Sequence, residues 1–357
     1  MRILHFIWRM SLGGAERQLV QLSKGLIACG ADVHVATAFA GRCDEPLAET
    51  GAATHRFRPI GKYDVTLIAR AIGLIRRLQP DVVMTWLTQM DIVAGIAARV
   101  AGVPWVLCER SASDAYPPGL IHAVRAEVGK GAAVIIANSE VGREYWRNHT
   151  VDARIRVIPN IVPAAEIARA TAVADQVDAG EEVILYVGRF SAEKNLERYV
   201  DALARVLPGR NARAVFCGDG VLRAAVEQRA AARGIADRTL FLGAVENVFG
   251  WMKRAAVVVG VSVFEGNPNT VLEAIACDAP VVVSDIPPYR SLVGDDAWVV
   301  DPLSVDSIAA GLEAALADRA EARRRAERAR WVVAGRSAEE IAARYIEVAE
   351  AVSRSRA

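Results

Sequence analysis

This chain of 357 residues is short of the features that usually assign a protein quickly. No uncharged apolar run approaches the ~20 residues that span a bilayer, so a membrane-crossing helix is not expected. The opening segment, MRILHFIWRM, has six apolar residues before Arg9, too few for a secretory leader. The five cysteines, Cys29, Cys43, Cys108, Cys217 and Cys277, form no CxxC pair. Four of them sit in or beside apolar runs, as buried thiols of a reducing compartment do. There is no HExxH, no Cys/His cluster with metal spacing, and no Asp-x-Asp pair to hold a divalent ion on a diphosphate. The histidines His5, His34, His55, His122 and His149 stand isolated, and each reads as structural rather than catalytic. Excess charge is lacking too: 43 Lys and Arg meet 42 Asp and Glu, a net of +1, which gives no bulk reason to expect nucleic acid. The expectation is a cytoplasmic protein that works without a metal or cofactor.

What is present is a well-covered α/β pattern. A chain this long exceeds what one core usually organises, so two domains are expected. Hydrophobic residues make up 53% and charged residues 24%, as in an ordinary folded protein. The charge is unevenly split: residues 1–163 hold 19 Lys and Arg against 14 Asp and Glu, so the first half is basic and the second acidic. A basic half can face acidic lipid or an anionic acceptor. Apolar runs at Ile3–Trp8, Val33–Ala38, Val82–Trp86, Val103–Cys108, Val134–Ala137 and Val157–Ile158 alternate with helical patterns. After an Ala-rich stretch at 164–182 the alternation restarts, at Val183–Val187, Ala214–Cys217, Thr239–Leu242, Val257–Val261, Val281–Ser284 and Ala297–Val300. Continuous apolar strands separated by helices predict parallel sheets covered on both faces. The expected architecture is two doubly wound Rossmann-like domains, 1–163 and 164–335, facing each other across a cleft. Ser337 and Glu340 form a capping box before an amphipathic last helix, expected to cross back to the first domain over residues 336–357.

Two loops carry the chemistry. Arg189 and Lys194, in Gly188-Arg189-Phe190-Ser191-Ala192-Glu193-Lys194-Asn195, stand just past a strand and at the entrance to a helix. Free backbone N–H groups and a positive dipole end make such an entrance an anion site, and two fixed cations match a diphosphate. Glu265 and Glu273 bracket the Gly266-Asn267-Pro268-Asn269 turn, with Asn269 or Thr270 expected to cap a helix whose first turn carries Glu273. Carboxylates repel phosphates but accept hydrogen bonds from hydroxyls, so one acid can hold a ribose and the other a sugar ring. Together the four charges describe a nucleotide-diphosphate sugar. Gly13-Gly14 after the first strand is a weak phosphate signal, and Gly218 and Gly243 read equally as base contacts or plain turns. No acid closes the strand Val33–Ala38, which argues against a nicotinamide enzyme.

At this point the residues resemble a known family, the family 4 retaining glycosyltransferases of the GT-B fold. The likeness runs through GGAER at 13–17, NS at 138–139, VIPN at 157–160, VGRFSAEKNLE at 187–197, GDG at 218–220, FLG at 241–243 and FEGNPNTVLEAIA at 264–276. It implies that Arg189 and Lys194 grip the donor diphosphate, that Glu273 binds the donor ribose and that Glu265 touches the transferred sugar. It also implies that Asn269 and Thr270 lie near the phosphates and that Gly14 belongs to a loop closing over them. Two departures stand out. Leu107-Cys108-Glu109-Arg110-Ser111 occupies the place where many members carry a histidine, and Asp278 stands where a glycine is usual. Asp91, Glu109 and Arg110 are the acceptor-side candidates.

The expected function is retaining transfer of a sugar from a nucleotide-diphosphate sugar, a UDP-sugar first, to a hydroxyl acceptor. The basic first half, the Arg110 segment and Trp86, Trp105 and Tyr116 point to a lipid-linked or polysaccharide acceptor, with peripheral contact at the inner membrane face. Two other classes fit the same residues. A sugar-nucleotide epimerase releases a modified sugar with donor alone, and a non-catalytic nucleotide-sugar-binding protein neither transfers nor hydrolyses.

Overall fold

Parallel pairing accounts for the apolar runs. In the computed structural model, which describes residues 1–59, 64, 66–111, 119–173 and 176–354, the chain divides into two compact units. Unit 1 comprises Met1–Ile161 and Gly335–Ala357, and unit 2 comprises Val162–Ala334. The strands of unit 1 are β1 (Arg2–Arg9), β2 (Asp32–Phe39), β3 (Ala53–Arg56), β4 (Val82–Trp86), β5 (Trp105–Glu109), β6 (Val134–Ala137) and β7 (Ile155–Val157). They form one parallel sheet in the order β3-β2-β1-β4-β5-β6-β7. Unit 2 contributes β8 (Glu182–Val187), β9 (Ala212–Cys217), β10 (Thr239–Gly243), β11 (Val257–Gly260), β12 (Val281–Ser284) and β13 (Trp298–Val300), paired in parallel as β10-β9-β8-β11-β12-β13. Each sheet reverses its winding once, between β1 and β4 and between β8 and β11. A reversal of this kind opens a crevice beyond the carboxyl ends of the two strands.

Both faces of each sheet are covered, because successive side chains on a strand point to opposite sides. On β1, Ile3 and Ile7 join one core with Leu19 and Leu26, while Leu4 and Phe6 join the other with Leu74 and Leu107. On β8, Val183 and Leu185 face one core of unit 2, and Ile184 and Tyr186 face the other. Burying each such aliphatic side chain contributes roughly 1.5–3 kcal/mol. Four of the cysteines are buried, and Cys29 is exposed. Among the described residues, no helix is long and apolar enough to cross a membrane.

The last helix, Ala338–Arg354, lies in unit 1. Ser337 and Glu340 cap it reciprocally: the Ser337 amide donates to the Glu340 carboxylate (3.1 Å) and the Glu340 amide to the Ser337 hydroxyl (3.2 Å). Ile341, Tyr345, Ala349 and Val352 complete the core under the helix Gly14–Ala28. Gly25 permits the close crossing, since a Cβ there would run into the Ala338 carbonyl.

The sequence pattern misses β3. Its four residues, Ala-Thr-His-Arg, sit on the sheet edge and are largely exposed, so they show no apolar run. Its presence corrects the reading of the histidines as isolated: His55 lies beside His34, with Nε2 and Nδ1 3.0 Å apart. Asp278 adopts the left-handed conformation (φ 57°) where glycine is favoured, and Arg330 holds its carboxylate with two hydrogen bonds of 2.7 and 2.9 Å.

Candidate active site

The winding reversal of unit 2 gathers charge. The loop after β8 carries Arg189 and Lys194, and the loop after β11 carries Glu265, so the two loops flank the β8–β11 crevice. Lys194 Nζ contacts Glu265 Oε1, a pairing of residues 71 positions apart, with both side chains less than a fifth exposed. The Val263 amide donates to the Glu193 carbonyl (2.9 Å) and zips the two loops together. Asn195 takes the left-handed conformation (φ 58°), which asparagine tolerates better than most residues, and its Nδ2 donates to the carbonyls of Val261 (3.2 Å) and Pro302 (2.6 Å). The Lys194 loop is thereby tied to the loops after both β11 and β13.

Further groups hold the charges in place. Ser262 Oγ donates to Glu265 Oε1 (2.8 Å), and the Tyr289 hydroxyl donates to Ser262 Oγ (3.5 Å). Tyr186 donates to the Arg189 carbonyl (2.7 Å). Burial, followed by the nearby Glu265 carboxylate, pushes both phenols well above the usual tyrosine range, which keeps them as donors. The Arg189 guanidinium is 75% exposed and meets Glu193 Oε1 at 3.4 Å. Glu193 also accepts from Ser191 Oγ (2.5 Å). Burial pushes the Glu193 carboxyl upward, but the Ser191 and backbone hydrogen bonds with Arg189 and Lys194 outweigh it and hold the group below the usual range.

The remaining donor-side candidates also fall on the carboxyl edge of unit 2. The Gly188 amide donates to Cys217 (3.0 Å) and the Gly218 amide to Gly243 (2.6 Å), so Gly188, Gly218 and Gly243 run side by side across β8, β9 and β10. A Cβ on Gly218 would strike the Gly188 carbonyl, so close backbone packing requires that glycine. The Phe190 amide donates to Asp219 (3.0 Å), which braces the Arg189 loop. Gly266 and Asn267 lie in the turn after Glu265. The helix starts at Asn269 with Pro268 at its N-cap and no side-chain cap, so neither Asn269 nor Thr270 caps it as expected. Pro268, with its fixed φ, supplies the turn into the helix. Thr270 lies in the first turn and donates to the Val187 carbonyl (3.4 Å), which moors the helix to β8. Glu273 falls one turn further in than expected and is buried. Gly14 opens the first helix of unit 1.

The acceptor-side candidates are placed differently from expectation. Asp91 and Glu109 are fully buried in unit 1, and Arg125 bridges them with two hydrogen bonds of 2.8 Å. Thr85 donates to Asp91 (2.7 Å), Trp105 donates to Thr85 (2.9 Å) and Trp146 donates to Glu109 (2.8 Å). Burial pushes the Asp91 carboxyl up to about 6, against the pull of Arg125. Neither acid reaches solvent in this structure, so where an exposed acceptor contact was expected both carboxylates are matched inside unit 1. Arg110 is half-buried: its guanidinium lies 4.2 Å from the Trp86 ring centroid, donates to Asn160 Oδ1 (3.3 Å) and donates to the Tyr345 hydroxyl of the last helix. Trp86 and Trp105 are likewise buried, and Tyr116 lies outside the described residues. Sequence reasoning missed Arg125, whose signal was a lone cation in the apolar helix Leu120–Gly129, and Ser262, three residues ahead of Glu265.

Two doubly wound parallel sheets, one with paired charges at its winding reversal, define a two-domain α/β protein of Rossmann-like architecture. Residues 12–166 match the family described as Glycosyltransferase Family 4, and residues 171–332 match Glycosyl transferases group 1. The chain belongs to the family 4, group 1 glycosyltransferases. It is 26% identical over 363 residues to the lipopolysaccharide core biosynthesis glycosyltransferase LpsE of Rhizobium meliloti, covering 98% of each chain. A stretch of 147 residues is 34% identical to the uncharacterized glycosyltransferase MJ1607 of Methanocaldococcus jannaschii, covering 40% of this chain and 37% of that one. The crystal structure of Anabaena HepE with UDP-glucose superposes with a TM-score of 0.85 at 19% identity, covering 98% of this chain and all of that one. That likeness carries the fold, which is GT-B.

Proposed function

We propose that the protein transfers a sugar, with retention of configuration, from a UDP-sugar to a hydroxyl acceptor in surface polysaccharide or lipid-linked glycan synthesis. The contact of Lys194 with Glu265 across the β8–β11 crevice carries this reading, because it sets an anion-binding group against a hydroxyl-binding group where such sheets hold nucleotides. Arg189, largely exposed beside it, is free to turn onto a diphosphate. The buried Glu273 takes the ribose, and Glu265 takes the sugar. In the transfer, the bond from the sugar C1 to the diphosphate oxygen breaks and a bond from the acceptor oxygen to C1 forms on the same face. The acceptor proton passes to the leaving diphosphate, so the reaction needs no separate protein base. Arg189 and Lys194 neutralise the charge that grows on the diphosphate.

The relatives support the choice of substrate class. LpsE is described as acting in lipopolysaccharide core biosynthesis, and HepE is solved with UDP-glucose. The first test is a thermal-shift panel of UDP-, GDP- and ADP-sugars, with a UDP-sugar expected to raise the melting temperature most. At 100 times its Kd a ligand adds about 2.7 kcal/mol of stability. The second test is product analysis with donor and a polysaccharide or lipid-linked acceptor. An axial donor linkage should reappear axial in the product by NMR. A panel in which no nucleotide sugar stabilises the protein removes the reading, and a modified free sugar formed from donor alone replaces it with epimerase chemistry.

A further inference from the structure

The carboxyl edge of unit 1 holds cations that no acid answers among the described residues. Arg9 ends β1 and pairs in register with Phe39, which ends β2, and its guanidinium lies 5.1 Å from the Phe39 ring centroid. Thr37 pairs with Arg56 on β3, and the Phe57 amide donates to the Thr37 carbonyl (2.9 Å), so Arg58 stands level with Phe39 on the far side. Arg42 follows β2, and the amide of the next residue, Cys43, donates to the Met10 carbonyl (2.8 Å), which sets Arg42 beside the end of β1. Arg9, Arg42 and Arg58 are all exposed. Among the described residues none of the three has an ion pair, whereas neighbouring arginines do. Arg56 is matched to Asp44 (2.9 Å) and Arg70 to Asp64 (2.8 Å). Asp44 also accepts from the Gly41 amide (2.9 Å), and the exposed Glu45 pairs with none of the three cations.

Beside these cations lies an aromatic corner. Trp8 and Phe39 meet edge-to-face with centroids 5.3 Å apart, and both are half-buried at the ends of their strands. Aromatic rings of this kind offer flat apolar faces on which the C–H side of a sugar ring can pack. Arg58 holds a left-handed backbone (φ 51°), a conformation that costs free energy for a side chain of its kind. Uncompensated like charges gathered on one edge repel one another until an anion joins them.

We propose that Arg9, Arg42 and Arg58, with the Trp8–Phe39 corner, form a subsite for a sugar ring that bears a carboxylate or phosphate. Resting on the function proposed above, this makes the acceptor an anionic glycan. Its recognition lies on the β1–β2–β3 edge and not at Asp91, Glu109 and Arg110. The aromatic corner takes the ring and the arginines take the charge, so binding is steep in salt while a neutral chain of equal length gains little.

The test is calorimetric titration of the full chain at low salt with three probes: a tetramer of galacturonic acid, glucose 1-phosphate and neutral maltotetraose. A charged probe should bind about tenfold more tightly than the neutral one, and the triple variant Arg9→Gln, Arg42→Gln, Arg58→Gln should erase that preference. All three side chains are exposed, so the variant should fold, with its melting temperature as the check. Tighter binding of the tetramer assigns the anion to a ring carboxylate, and tighter binding of glucose 1-phosphate assigns it to a phosphate. Equal binding of all three probes, or a preference kept by the triple variant, overturns the subsite. So does salt-sensitive sedimentation with phosphatidylglycerol vesicles that the triple variant loses while no saccharide binds, since the patch would then serve a membrane surface. UDP titrated in parallel separates the two readings. UDP binding without charged-saccharide binding removes only the subsite, and charged-saccharide binding without UDP binding removes only the proposed reaction.

Discussion

Each unit sets a cation against acids near the carboxyl ends of its strands, and the two sets meet opposite fates. In unit 1, Arg125 lies between Asp91 and Glu109 with all three side chains sealed from water. In unit 2, Lys194 meets Glu265 at the rim of a crevice and Arg189 stands mostly in solvent. Buried charges must be matched inside the protein, because desolvating an ion costs several kcal/mol. Both oxygens of each acid are therefore matched: Asp91 accepts from Thr85 and Arg125, and Glu109 accepts from Arg125, Trp146 and the amides of Arg110 and Ser111. The half-open set is under no such constraint. Its partners can be exchanged for other polar groups at little cost, and that is the physical difference between a sealed set and an open one.

The widest gap between the two sets should appear on removing the cation from each. Arg125→Met strands two carboxylates in the core and should lower the unfolding free energy by about 3–5 kcal/mol, read from denaturant midpoints. Lys194→Met should cost distinctly less, since Glu265 keeps Ser262 and some solvent. If both substitutions destabilise equally, the contrast between sealed and open sets is void. Turnover should rank the two the other way. Lys194→Met should lose on the order of 10²–10³ in kcat with its melting temperature little changed, as loss of a group that stabilises developing charge does. Near-normal turnover in that variant would remove Lys194 from the reaction.

A smaller effect distinguishes the units by pH. All five histidines lie in unit 1 and none lies between residues 162 and 334. His5 is fully buried and accepts from Trp86 Nε1 at its Nδ1 (3.1 Å). Burial, aided by Arg110, lowers it to about 3. Below pH 6.5 the unfolded chain takes a proton that folded His5 refuses. Its contribution is therefore intact above 6.5 and is lost as pH falls toward 3, at up to about 1.4 kcal/mol per pH unit. His5→Asn keeps an acceptor for Trp86 without titrating, so the acid loss should flatten. Hydrogen exchange of β1 and β4 peptides at pH 7 and pH 5 should register the change, and peptides of β8 and β11 should not. An unchanged acid slope in β1 would place the titration elsewhere.

Legibility from the sequence followed the same boundary between local and distant. Twelve of the strands announced themselves as apolar runs because a parallel strand buried on both faces needs no polar residue. Ala53–Arg56 did not, since an edge strand with an exposed face can be as polar as a loop. The loops bearing Arg189, Lys194 and Glu265 were recognisable as strand-end loops from their immediate neighbours. The burial of Asp91 and Glu109 was not legible for want of a partner: Arg125 arrives from 34 and 16 residues away, and nothing near either acid foretells it. The packing of Arg110 was hidden in the same way, because its partner Tyr345 lies 235 residues further on.

Hydrophobic periodicity, turn chemistry and helix caps act over a few residues, so the sequence alone determined two α/β units, the strand ends that carry charge and the capped last helix. The lone acids and cations were another matter. Whether a carboxylate is exposed, matched or exchangeable depends on which distant chain segment displaces its water, and that is a property of packing. The tertiary structure alone therefore decided that Glu109 is sealed by Arg125 and Trp146, that Glu265 meets Lys194, and that three arginines on the first sheet's edge stand without acids among the described residues.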